Sequence, residues 1–129
     1  MIVLDTHAWL WWMADPVRLS DPAREALAQT SSIGVCTLSA WELAMLVIRG
    51  RITLDRDISV WVRRALDAHR VEPLAPGADV AVAAGLLDAD SFPGDPIDRL
   101  IYATARSLDA RLVTRDRAIR AFDPTTTIW

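Results

Sequence analysis

Four carboxylates in this chain stand in one recurring local setting. Asp5 follows the apolar run Met1-Ile2-Val3-Leu4 at once. Glu42 lies in Ser39-Ala40-Trp41-Glu42, in the opening turn of a helix, and Asp98 lies in Asp95-Pro96-Ile97-Asp98, again an opening turn. Asp116 follows Leu112-Val113-Thr114-Arg115 and opens a further helix. Taken singly, each has a structural reading. Ser39-x-x-Glu42 matches a capping box. Asp5 and Asp116 suit N-caps, and Asp98 sits well in the positive first turn behind an N-cap at Asp95. Taken together, the four suggest chemistry. Several ionised carboxylates in one pocket repel one another unless a cation is present. Oxygen-only ligands favour a hard ion such as Mg²⁺ or Mn²⁺ over Zn²⁺. Such a set can hold one or two ions, activate a water and neutralise a phosphodiester transition state.

The elements around these acids must bring them to one edge. Met1–Leu4 is long enough for a strand buried on both faces, and Ala8–Met13 reads as a helix. Asp15-Pro16 breaks the pattern. Ser20-Asp21-Pro22 reads as a cap with Pro in the first turn of the next helix. Ile33–Thr37 is a second strand. Ser39–Arg49 is helical, with Gly50 as its stop. Val60–His69 is a helix with an apolar stripe. Val71–Leu74 is a short third strand whose Pro73 suggests an edge. Ala78–Leu87 is a helix, Asp90–Gly94 a loop, and Asp95-Pro96 opens a helix running to about Leu108. Arg111–Thr114 is a strand, Asp116–Phe122 a short helix and Thr125–Trp129 a last edge strand. Strands alternating with helices predict an α/β fold: a single domain over 1–129, with a mostly parallel central sheet of about five strands and helices on both faces.

Composition bounds the partners. The 129 residues suit one core, and 52% apolar content with a mean hydropathy of +0.19 fits a two-sided sheet. No stretch approaches a membrane span, and no basic segment precedes the Trp-rich run at 9–13, so the expected place is the cytoplasm. The lone Cys36 excludes an internal disulfide and a cysteine metal site, and reads as a small buried hydrophobe. Net charge is −3, which argues against a nonspecific nucleic-acid coat. All 14 basic residues are Arg, and Arg99, Arg106, Arg111, Arg115, Arg117 and Arg120 crowd the last third against Asp109 and Asp116. That crowding fits a solvated helix face or phosphate recognition by guanidinium forks. The helices at 9–13 and 43–48 are apolar nearly all round. Deep burial explains them, as does a dimer or protein partner over one face.

Leu4-Asp5-Thr6-His7, Ser39-x-Trp41-Glu42, Asp95-Pro96-Ile97-Asp98-Arg99-Leu100-Ile101 and Leu112-Val113-Thr114-x-Asp116, in that order over the whole chain, resemble the PIN-domain family. The VapC-type toxins of bacterial type II toxin–antitoxin pairs match best. The resemblance implies an endoribonuclease dependent on Mg²⁺ or Mn²⁺, usually homodimeric and held inactive by a cognate antitoxin encoded beside it. The family's acidic quartet carries over to Asp5, Glu42, Asp98 and Asp116. Asp5 and Asp98 are expected as main metal ligands. Glu42 and Asp116 are expected to bind through water, take a second ion or orient the attacking hydroxide. Thr6, Ser39 and Thr114 are expected to orient the carboxylates. Arg99 and Arg115, beside the acids in sequence, are expected to contact RNA phosphate. Asp95 is assigned to capping, and His7 to a structural role. Two departures leave the quartet intact: Leu46 stands where many relatives carry Lys, and Ala78 and Asp79 stand where His is frequent.

Other readings fit less well. A haloacid-dehalogenase-like phosphohydrolase would use Asp5 as nucleophile but needs an Asp at the position of His7. A phospho-acceptor receiver needs adjacent acids after the first strand and a late Lys, and the chain has no Lys. A PIN-like module that only binds RNA or protein would leave clustered carboxylates without a purpose. A nucleophile elbow and a phosphate-binding Gly loop are both absent.

Overall fold

The structure is a computed structural model and describes residues 1–92 and 94–129. Five parallel strands form one sheet in the order β3-β2-β1-β4-β5: β1 Ile2–Leu4, β2 Ile33–Cys36, β3 Val71–Leu74, β4 Arg111–Val113 and β5 Thr127–Ile128. The helices are α1 Thr6–Ala14, α2 Asp21–Gln29, α3 Leu38–Ile48, α4 Ile58–Leu66, α5 Ala78–Gly85, α6 Pro96–Ser107 and α7 Arg117–Phe122. The alternating α/β architecture and the single sheet follow the sequence expectation. Pro73 does lie in an edge strand, where a missing N–H costs no ladder bond.

Strand alternation divides the core in two. Val3 and Leu112 point to one face and join Phe92, Ile101, Tyr102 and Phe122. Leu4, Val35 and Val113 point to the other and join Trp9, Trp61, Leu43 and Leu27. Both faces of β1 are therefore buried, and its continuous apolar run is the expected signature.

Local differences have local causes. α1 begins at Thr6 rather than Ala8, because Asp5 caps it directly. A single 3-10 turn at Pro16–Arg18 occupies the break after α1. α4 begins at Ile58, two residues before the expected Val60, because the Asp57 carboxylate accepts from the N–H groups of Ser59 and Val60. Gly50 ends α3 as expected, at φ +68°, with its N–H on Val47 and the Arg51 N–H on Leu46. That is the Schellman arrangement, which favours a residue without Cβ. The loop expected over Asp90–Gly94 contains Pro93, which lies outside the described residues. The two apolar helices part company. Trp9, Leu10 and Trp11 of α1 are buried, whereas on α3 Leu43 is buried but Trp41 and Ile48 are 57% and 84% exposed. Among the described residues, no helix is long and apolar enough to cross a membrane.

Candidate active site

The chain lays β2 and β3 to one side of β1, then returns to lay β4 and β5 on the other. The adjacent strands β1 and β4 are therefore a topological switch point, where an open α/β sheet leaves a crevice at its carboxyl edge. Leu4 pairs with Val113, and the Asp5 N–H extends the ladder by donating to the Val113 carbonyl at 3.1 Å. This sets Asp5 beside Thr114, two residues before Asp116.

Capping and ligation turn out to be compatible. Asp5 Oδ1 accepts from the Ala8 N–H at 2.7 Å, and Asp116 Oδ1 accepts from the Ile119 N–H at 2.9 Å. Each cap uses one carboxylate oxygen. Asp95 caps α6 by accepting from the Asp98 N–H at 3.0 Å, as its sequence position suggests. The capping box at Ser39–Glu42 does not form. α3 starts at Leu38, so Glu42 is too far into the helix to reach back, and Thr37 holds the cap position without a side-chain bond. Glu42 Oε2 instead accepts from Thr6 Oγ1 at 2.6 Å. The Thr114 hydroxyl accepts from the Asp116 N–H at 3.0 Å and also acts on Asp5, stabilising its ionised form. The Ser39 hydroxyl is buried and has no partner among the described residues, so it orients none of the acids here.

Asp5, Glu42, Asp98 and Asp116 all line one cleft of about 800 Å³, together with Asp95 and His7. Burial raises the Asp98 carboxyl, and the charges of Asp95, Glu42, Asp5 and Asp116 raise it further, to about 7. Asp5 is also raised, by burial first and by Glu42. The Thr114 hydroxyl, the Ala8 N–H and His7 oppose the rise. A donor set of carboxylate oxygens suits a hard cation. Among the described residues, no three of His, Cys, Asp and Glu are gathered closely enough to form a ready cage. The acids fit Mg²⁺ or Mn²⁺ joined through one or two carboxylates, the remaining positions being water.

Arg99 is not brought to the acids. Its guanidinium donates to the carbonyls of Ala84, Leu87, Phe92 and Gly94 at 2.9–3.3 Å and stacks over the Phe92 ring. One residue along a helix is about 100° of rotation, so the neighbour of Asp98 faces α5 and the preceding loop. The expected phosphate contact is corrected to a structural clamp. Arg115 does line the cleft, its guanidinium 5.8 Å from the Trp11 ring centroid. His7 is exposed, with its ring 5.6 Å from Trp11. Arg117 and Arg120, which the sequence offers only as part of the arginine cluster of the last third, also line this cleft, and so does Trp129, which the sequence does not single out. The spacing of Arg117 and Arg120, one turn apart just after an acid, was the available signal.

The sequence matches the family described as PIN domain over residues 2–123. It is similar to Ribonuclease VapC22 of Mycobacterium tuberculosis (strain ATCC 25618 / H37Rv): 41% identical over 120 residues, 93% of this chain and 90% of that protein. Among solved structures, the fold is similar to a toxin–antitoxin complex from Klebsiella pneumoniae, with a TM-score of 0.70 at 17% identity over 100% of this chain and 97% of that one. It is also similar to VapBC2 from Rickettsia felis bound to a promoter DNA fragment, with a TM-score of 0.68 at 19% identity over 98% and 97%.

Proposed function

The chain is a VapC-type member of the PIN-domain family, and from that premise we propose that it is a divalent-metal-dependent endoribonuclease, the toxin of a type II toxin–antitoxin pair. The observation that carries this reading is the convergence of Asp5, Glu42, Asp98 and Asp116 on one cleft at the sheet switch point. A carboxyl that burial and its acidic neighbours hold partly protonated near neutral pH is one that a cation would return to carboxylate.

Asp5 and Asp98 hold the ion, Mg²⁺ or Mn²⁺. When bound, it supplies Lewis acidity to a water nucleophile and to the phosphodiester. Thr6 fixes one oxygen of Glu42 and leaves Oε1 to take the proton of the attacking water. Asp116, held by its cap and by Thr114, would orient that water or join a second ion. The water oxygen bonds to phosphorus, the bond from phosphorus to the leaving ribose oxygen breaks, and that oxygen takes up a proton. The substrate is RNA, recognised through shape and unpaired bases.

The partner is a cognate antitoxin acting in the cytoplasm, and the toxin is a homodimer. The exposed apolar side chains of Trp41 and Ile48 on α3, and of Val82 and Leu86 beside α6, support covered faces of this kind.

Purified protein incubated with total cellular RNA tests the activity. Discrete fragments should form with Mg²⁺, and should be absent with chelator and with Asp5→Asn or Asp98→Asn. Intact RNA from folded, metal-loaded, antitoxin-free protein would overturn the reading.

A further inference from the structure

The cleft that holds the acids is also basic. Arg115, Arg117 and Arg120 line it. Arg117 and Arg120 are one turn apart on α7, so they share a helix face, and the Asp116 cap sets the start of that helix. The ion pairs among the described residues are Arg24–Asp21, Arg56–Asp55 and Arg106–Asp109, so none of the three cleft arginines has an acidic partner there. Arg120 Nε is buried and has no hydrogen-bond partner among the described residues, and a buried donor without a partner is costly unless a ligand supplies the acceptor. Arg115 lies over Trp11, which is itself buried and packed 5.8 Å from Trp129.

One cleft therefore carries carboxylates and guanidinium groups that form no ion pair among the described residues. A cation satisfies the carboxylates. The guanidinium groups require an anion that can accept from several forks, which is phosphate geometry. We propose that Arg115, Arg117 and Arg120 form a seat for a backbone phosphate of the RNA strand next to the one cleaved, fixing the strand's position along the cleft. This rests on the ribonuclease reading. A volume of about 800 Å³ leaves space for a nucleotide-sized group beyond the scissile phosphate.

The test measures binding of a fluorescent single-stranded oligouridylate to Asp98→Asn protein without divalent metal, as a function of KCl. The further substitutions Arg117→Gln and Arg120→Gln together should weaken binding at low salt by about tenfold or more. They should also reduce the slope of log Kd against log salt by roughly 0.7 for each phosphate no longer neutralised. Arg120→Lys should keep most of the slope, because the charge remains. In the wild-type background, a methylphosphonate at a position flanking the cleaved bond should raise KM, and should not raise it further in the Arg117→Gln, Arg120→Gln variant. An unchanged slope in variants that melt at the wild-type temperature would overturn the seat while leaving the nuclease reading intact. So would variants that bind RNA normally but lose affinity for the antitoxin, a result that would assign the arginines to a protein carboxylate. Failure of the wild-type protein to cleave RNA would strike the nuclease reading instead.

Discussion

Thr6 and Glu42 are 36 residues apart in sequence and joined by a 2.6 Å hydrogen bond that ties the first turn of α1 to α3. The bond holds one oxygen of an acid that would otherwise swing freely on a helix surface. Thr6→Val keeps the side-chain shape and removes the donor. Groups that orient metal-site carboxylates typically contribute about 10–100-fold in metal affinity or activity, and a loss in that range is expected. Isothermal titration with Mn²⁺, beside a thermal melt that moves little, is the check. Unaltered Mn²⁺ affinity would make the bond an ornament of the fold.

Asp98 gives a pH dependence of definite sign. Its folded pKa, about 7, lies above its ordinary value of 3.8. The metal-free folded state therefore binds more protons than the unfolded chain in that window, and its stability falls as pH rises from about 4 to 7. Asp5 is shifted the same way. The melting temperature of metal-free protein should climb on going from pH 8 to pH 5, and Asp98→Asn should flatten the climb. With Mg²⁺ the sign reverses, since ligation requires the carboxylate.

Asp123 acts at the acid limit. Its partial burial favours the neutral form, but hydrogen bonds from Thr126, Tyr102 and Thr125 outweigh that and hold it down to about 2. A depressed folded pKa stabilises the fold above 3.8 and loses that contribution as pH falls through about 2. Tyr102 Oη donates to Asp123 Oδ2 at 2.7 Å. Tyr102→Phe should cost about 1 kcal/mol at pH 7 and less at pH 2, as read from urea denaturation at both values.

Arg99 should behave as a clamp. Arg99→Met strands four carbonyl acceptors around the end of α5 and should destabilise by about 2–4 kcal/mol, the scale of a charged hydrogen-bonding group removed from partly buried partners. Arg99→Lys should recover only part, because a single ammonium cannot reproduce the fork. For variants still folded at low temperature, the salt dependence of oligouridylate binding should match wild type. A reduced slope would return Arg99 to the phosphate-binding residues.

The strands, and the gathering of the four acids at one sheet edge, were legible because they depend on short-range signals: an apolar run ending in a carboxylate, a Pro in a first helical turn. The capping and metal readings of Asp5 and Asp116 looked like alternatives in sequence, and became compatible only once the cap was seen to use one carboxylate oxygen of each. Glu42 misled because a two-residue shift of the α3 cap, from Ser39 to Thr37, moves it out of cap reach. Arg99 misled because adjacency in sequence is divergence around a helix. Arg117 and Arg120 stand out in sequence only within the arginine cluster, because a six-residue helix carries little periodic signal and the cleft they line is made by distant segments.

The strand order has a consequence during synthesis. β1 emerges from the ribosome before the other strands, yet it is flanked on one side by β4, which emerges only after β2 and β3, and Asp116 comes shortly after β4. A nascent chain that has folded only its early strands carries Asp5 and Glu42 but neither the β4 wall nor Asp116. The cleft that gathers the four acids is thus completed by one of the last pairing events, and a partly synthesised chain lacks it until that strand arrives.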